Sequence, residues 1–189
     1  MPIKRITTPL GREDARLLRC GEGALLSGVI YTARDAAHMH LAELIRRGGA
    51  APFPIEDAII YYVGPTPEKP GCVIGSAGPT SSYRMDAFAP ELISRGLTGM
   101  IGKGARSPEV IDAMQEFGAV YFGAIGGAGA LLAQCVKSSE IVAYEDLGAE
   151  AVRKLTVSDM PLTVAIDSKG NDLYKKGCME YLKMRGDMF

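Results

Sequence analysis

The chain has 189 residues, of which 47% are hydrophobic, and its 21 Lys and Arg nearly balance 22 Asp and Glu, for a formal net charge of −1. That composition suits one domain, spanning residues 1–189, with a core of its own, and it excludes long disordered or fibrous regions. Charges of both signs are interspersed, no apolar run approaches the roughly 20 residues of a membrane span, and Met1 to Ile6 lacks the apolar stretch of a signal peptide, so a cytoplasmic protein with no nucleic-acid or membrane partner is expected.

Short β-rich runs alternate with amphipathic stretches. Ala24 to Tyr31 predicts a strand, and Asp35 to Arg47 shows helical spacing through Ala37, Leu41, Leu44 and Ile45, stopped by Gly48-Gly49. Asp57 to Val63 predicts a second strand, closed by a proline-rich loop, and Cys72 to Ala77 a third that leads into Gly78-Pro79. Met85 to Arg95 is expected to be helical, which puts Gly78 to Asp86 at a strand-to-helix junction.

In the second half, Leu97 to Ile101 predicts a strand and Ser107-Pro108 opens a helix that ends near Gly118, with an N-cap residue and proline at the first helical position. Ala119 to Phe122 predicts another strand and Gly126 to Gln134 a helix. Arg153 to Val157 and Leu162 to Ile166 read as two more strands, and Leu173 to Lys183 as a closing helix. Strands mixed with helices predict an α/β fold, a single layered domain with a mixed sheet.

Cys20, Cys72, Cys135 and Cys178 are scattered, with no C-x-x-C pair, so reduced thiols are expected and no metal bound by this chain alone. Four glycine-punctuated segments each follow a predicted strand: Thr32 to His38, Gly78 to Asp86, Gly102-Lys103-Gly104, and Gly123 to Gly129. In open α/β sheets the carboxyl ends of strands are the usual place for anionic ligands.

In the first segment, Arg34 and His38 lie four apart on one face of a helix start, where a cation and an imidazole could hold a carboxylate; Asp35 capping that helix, with Arg34 in a surface pair, is the competing reading. In the second, Thr80, Ser81 and Ser82 put three hydroxyls at a helix N-terminus and Arg84 follows Thr80 by four residues, with a guanidinium fork that matches a carboxylate; simple N-capping by Thr80 or Ser81 competes. Lys103 stands between two glycines and could meet an anion, as could a turn-flanking surface lysine with no such role. The fourth segment has glycines out of phase with G-x-G-x-x-G, although Glu145 and Asp146 lie near the offset of a ribose-binding acid, so tight packing is the better reading than a nucleotide loop.

Taken in order with Tyr62 to Pro65, Tyr144 to Ala151 and Ala165 to Asn171, these segments resemble the C-terminal half of class I fumarases and the separate β subunits of the fumarase and tartrate dehydratase family, over about Thr7 to Tyr174. The resemblance implies a swivelling β/β/α domain. It also implies a heteromer, in which a 4Fe-4S cluster is supplied by an α subunit and one iron acts as Lewis acid on the hydroxyl of a small dicarboxylate. Carried over to this sequence, it makes Arg34, Arg84 and Lys103 substrate-binding and places Thr80 at the carbon that exchanges a proton, supported by Asp35, His38, Ser81 and Asp86 around them. Ser81 departs from the family's more usual threonine, a loss of one methyl.

Arg34 to His38 and Arg84-Met85-Asp86 look more like the fumarase versions than the tartrate dehydratase versions, so hydration of fumarate to L-malate and its reverse are expected. The alternatives are the β subunit of L(+)-tartrate dehydratase and, from another class, a non-catalytic dicarboxylate-binding module.

Overall fold

Two strands of the computed structural model, which describes residues 3–186, each carry three neighbours. The first is β2 (Gly23–Thr32), preceded by β1 (Ile3–Thr7) and α1 (Arg12–Leu17). The second is the fifteen-residue β7 (Val152–Ile166). Between them come α2 (Asp35–Arg46), β3 (Ile59–Tyr61), α3 (Ala89–Ser94), β4 (Gly99–Gly102), α4 (Pro108–Phe117), β5 (Val120–Gly123), α5 (Gly129–Gln134) and β6 (Val136–Ala143), and α6 (Leu173–Arg185) follows.

A strand has two edges, so three neighbours must share them. The start of β2 pairs with β1 and its end with β3, both parallel, while its other edge runs antiparallel to β7. Likewise β7 gives one edge to β2 and divides the other between β6 and β5. With β3, β4 and β5 joined in parallel, the order β2-β3-β4-β5-β7 returns to β2 and closes a ring, leaving β1 and β6 as short flanks. Closure leaves the central strands no open edge to pair with another chain.

Alternation along the ring strands then makes two cores. Ile59, Tyr61, Ile101, Val120 and Phe122 join Leu26, Ile30, Leu155 and Val164 inside the ring. Ile60, Met100 and Tyr121 point the other way, against Leu41 of α2, Leu92 and Ile93 of α3, and Val110 and Met114 of α4. Burying each Leu or Ile stabilises the fold by about 1.5–3 kcal/mol, so both faces of β3, β4 and β5 are committed. The architecture is the layered α/β fold with mixed sheet that the sequence predicts.

Several elements differ from the sequence reading. Cys72 to Ala77 is irregular, with a bend at 73–75, rather than a strand, because β2 and β4 already occupy both edges of β3; the segment instead accepts from Thr66 through Ser76 O and donates from Ala77 to Gly129 O. Met85 to Arg95 is broken into a 3₁₀ turn, Ser82–Met85, and the later α3, with Pro90 in its first turn. The two strands expected over 153–157 and 162–166 are one, since β2 pairs with both halves and the register shift at Ser158 and Asp159 is a bulge within the strand, not a break. β1, α1 and β6 are unforeseen. At α4 the expected signals operate as read: Ser107 precedes Pro108, and Gly118 ends the helix at φ 82°.

Candidate functional site

Because β2, β3, β4 and β5 run parallel, their carboxyl ends open along one edge. Arg34 lies two residues beyond β2, Lys103 one beyond β4, and Gly126 three beyond β5. The segment Gly78 to Asp86 follows no strand, contrary to the sequence expectation, yet it is stitched into the same edge. Thr80 N donates to Tyr62 O at 2.8 Å, Ser81 bridges Lys103, and Ser82 N donates to Lys103 O at 2.9 Å. All four glycine-punctuated segments are thereby brought together.

Asp35 joins the two arginines. Its Oδ2 lies 3.5 Å from Arg34 Nη2 and its Oδ1 lies 3.4 Å from Arg84 Nε, so one carboxylate spans both guanidinium groups. Arg34 also meets Glu150 Oε1 at 3.3 Å. Its guanidinium lies across Gly64, where a Cβ would come within 2.8 Å of Nη1. Arg84 keeps 45% of its side chain exposed. Lys103 is exposed and its side chain runs along Gly126, where a Cβ would lie 3.9 Å from Nζ.

His38 does not face an incoming carboxylate. It is fully buried, its Nδ1 donates to Arg34 O at 3.0 Å, and the ring meets Tyr62 edge-on at 5.3 Å. Burial lowers its pKa to about 4, against the smaller raising effect of the bond to Arg34 O, so at neutral pH it is an uncharged ring that fixes the backbone of Arg34. Of the two readings the sequence offers for His38, partner to a cation on one anion or support around the site, the geometry fits the second: Arg34 reaches the edge and His38 holds it from behind.

The three hydroxyls of Thr80, Ser81 and Ser82 also divide. Ser82 turns inward, its Oγ 2.8 Å from the hydroxyl of Tyr121, which in turn donates to Gly104 O at 3.0 Å. Neither Ser81 nor its neighbours make a side-chain cap, and the helix they precede is a four-residue 3₁₀ turn, so the simple capping reading does not apply and little helix dipole acts on Thr80. Thr80 and Ser81 remain half-buried at the edge.

Asp86 faces the interior, accepting from Arg106 Nε and from the Ser107 backbone amide, both at 2.7 Å. Arg106 was not singled out by the sequence. Its side chain is buried between the rings of Tyr62 and Tyr121, and nothing in Gly104-Ala105-Arg106-Ser107 distinguishes it from a solvated loop cation. Glu150 was missed too, although it falls within the Tyr144 to Ala151 segment that carries part of the resemblance.

What the edge offers chemically is two guanidinium groups, an ammonium and a hydroxyl within one open surface, suited to an anion with more than one carboxylate. A sequence profile of the family described as Fumarase C-terminus matches residues 4–177. The chain is 44% identical over 153 residues to "Fumarate hydratase class I, anaerobic" of Escherichia coli, covering 80% of this chain and 28% of that protein. It is 39% identical over 158 residues to "Fumarate hydratase 2" of Leishmania major, covering 82% and 28%. With the Methanocaldococcus jannaschii "Putative L(+)-tartrate dehydratase subunit beta" it shares 38% identity over 173 residues, 88% of this chain and 89% of that protein. The chain therefore spans about a quarter of the length of the curated fumarases it matches, and most of the length of the separate subunit.

Proposed function

The chain belongs to the Fumarase C-terminus family, and on that premise we propose that it is the β subunit of a heteromeric class I fumarate hydratase, interconverting L-malate with fumarate and water. The observation that carries this reading is the convergence of Arg34, Thr80, Arg84 and Lys103 on one sheet edge. In the proposed site the two arginines and the lysine hold the substrate carboxylates. In elimination the C–O bond to the hydroxyl and the C–H bond on the neighbouring carbon break as the C=C bond forms; Thr80, as its alkoxide, receives the proton, the hydroxyl leaves as hydroxide, and hydroxide and proton together make the water released. A threonine hydroxyl is ordinarily far too weak an acid for this, and a cation brought close to it would favour the alkoxide that the role requires.

The chain's own donors do not fit an iron–sulfur cluster. Its four cysteines are free and, among the described residues, no three His, Cys, Asp or Glu side chains are grouped to hold a metal ion. We place the 4Fe-4S cluster on a partner α subunit. Exposure of Arg84, Lys103, Tyr83 and Ile125 beside the site fits a surface that the partner covers. Among the described residues no helix is long and apolar enough to cross a membrane.

The test is anaerobic co-expression with the cluster-bearing subunit, reconstitution, and assay on malate, fumarate and tartrate. Inactivity on all three removes the assignment. Thr80→Val is expected to abolish most turnover, and near-normal turnover would release Thr80 from its role; Arg84→Met is expected to lose both binding and rate, since a displacement of about 1 Å can cost about a hundredfold. A second reading, tartrate dehydration to oxaloacetate, is favoured by the near-complete coverage of the tartrate dehydratase subunit; a preference for tartrate over malate in the same assay would establish it.

A further inference from the structure

Resting on the reading of Arg34 as a substrate clamp, we propose that Glu150 is the positioning residue that aims it. Arg34 stands at the start of α2, on extended backbone at φ −118° and ψ −163°, and its long side chain has to be directed by contacts. Its Nε is buried without a hydrogen-bond partner, so the terminal nitrogens are where its direction is set.

Glu150 acts there with both oxygens. Oε1 lies 3.3 Å from Arg34 Nη2, and Oε2 accepts from the backbone amide of Ala36 at 3.2 Å. One carboxylate therefore fixes the head of Arg34 relative to the first turn of the helix that carries it. Two fixed points make this an aiming device rather than a loose surface pair.

The carboxylate is itself held. Glu150 ends a 3₁₀ segment, Glu145–Glu150, and the next residue is clamped to β2: Thr32 Oγ1 donates to Ala151 O at 3.2 Å and accepts from Arg153 N at 2.9 Å. Thr32 lies two residues before Arg34, so Glu150 and Arg34 are anchored to the same stretch of strand. On the other side Gly64 leaves the guanidinium its berth, with Ala149 O at 3.2 Å from where a Cβ would stand. Asp35 has a different part, since it ties Arg34 to Arg84, whereas Glu150 ties Arg34 to the end of β2.

With side chains 22% and 27% exposed, the pair still meets solvent and contributes only modestly to stability, so the main consequence of losing Glu150 is a misdirected Arg34. The experiment is a double-mutant cycle on the reconstituted complex, reading the Kd of succinate by calorimetry. Succinate is a dicarboxylate with neither hydroxyl nor double bond, so it binds without turnover. Glu150→Ala and Arg34→Met are each expected to weaken it by about tenfold or more, and the double variant to be no weaker than Arg34→Met alone. Additive losses, or wild-type affinity in Glu150→Ala, overturn the positioning role while leaving Arg34 as a clamp. Wild-type affinity in Arg34→Met removes the clamp and, with it, this inference.

Discussion

Arg106 and Asp86 meet at 2.7 Å with their side chains 0% and 11% exposed, and this pair joins the turn bearing Arg84 to the start of α4. The guanidinium lies 5.3 and 5.1 Å from the ring centroids of Tyr62 and Tyr121, and its Nη1 meets the sulfur of Met100 at 3.3 Å. The second oxygen of Asp86 takes the Ser107 amide, one of the donors a helix leaves unsatisfied at its N-terminus. Asp86, which the resemblance places among the supporting residues, thus anchors the turn that carries Arg84.

Removing that anchor should leave a buried cation without its partner. Asp86→Ala is expected to cost about 3–5 kcal/mol in denaturant unfolding, as for other broken buried pairs. Asp86→Asn, which keeps an acceptor, should cost less. Equal losses from the two substitutions would mean that the charge, and not the hydrogen bonds, holds the turn.

His38 makes stability pH-dependent. Its folded pKa is about 4 against an ordinary 6.5, so between those values the unfolded chain holds a proton that the folded chain does not. Stability from this residue is fully present above pH 6.5 and is lost as pH falls towards 4, a total of about 3 kcal/mol. Arg106 opposes protonation and Asp35 favours it, but burial dominates both. His38→Asn, with a side-chain amide that can still donate to Arg34 O, should flatten the dependence of the denaturant midpoint across that window; an unchanged slope would assign it to other groups.

Local pattern was enough for α4, where Ser107, Pro108 and Gly118 each occupy the position their chemistry favours, and for the amphipathic α2. It was enough, too, to place the polar segments after β2, β4 and β5. It failed where pairing decides. β6 buries only Val136 of its eight residues and so has no apolar alternation, while Cys72 to Ala77 has a strand's composition but finds no free edge. Arg106 and Glu150 were invisible for a related reason: a charged side chain in a loop acquires its role only when distant tyrosines, or a distant arginine, close around it. Arg34, Thr80, Arg84 and Lys103 were legible only as an ordered set, since each alone has an ordinary surface reading.

At Gly102 a Cβ would fall 2.0 Å from Ser82 Oγ, 3.0 Å from Cδ2 of the buried Tyr62 ring and 3.3 Å from Ser82 Cβ, so Ser82 Oγ is much the tightest contact. Gly102→Ala should therefore break the Ser82–Tyr121 hydrogen bond and cost about 1–3 kcal/mol of overpacking, beyond the bond itself. Adding Ser82→Ala removes the clashing oxygen, so the double variant is expected to be more stable than Gly102→Ala alone, with the melting temperature as the measure. Additive destabilisation would show that the backbone or the Tyr62 ring, rather than Ser82, yields.

Gly64 gives the opposite pattern, a loss of function with the fold retained. Its Cβ would lie 2.8 Å from Arg34 Nη1 and 3.0 Å from Cδ, contacts with a flexible side chain, but 3.2 Å from the fixed carbonyl of Ala149. The side chain is what can move. Gly64→Ala should then cost about 1 kcal/mol or little more in stability, while pushing Arg34 off Glu150 and Asp35 and raising KM for the dicarboxylate by about tenfold. If Arg34 holds a carboxylate equally in ground and transition states, kcat is nearly unchanged and the loss falls on KM. A fall in kcat at constant KM would instead show that Arg34 acts chiefly once the proton has begun to move.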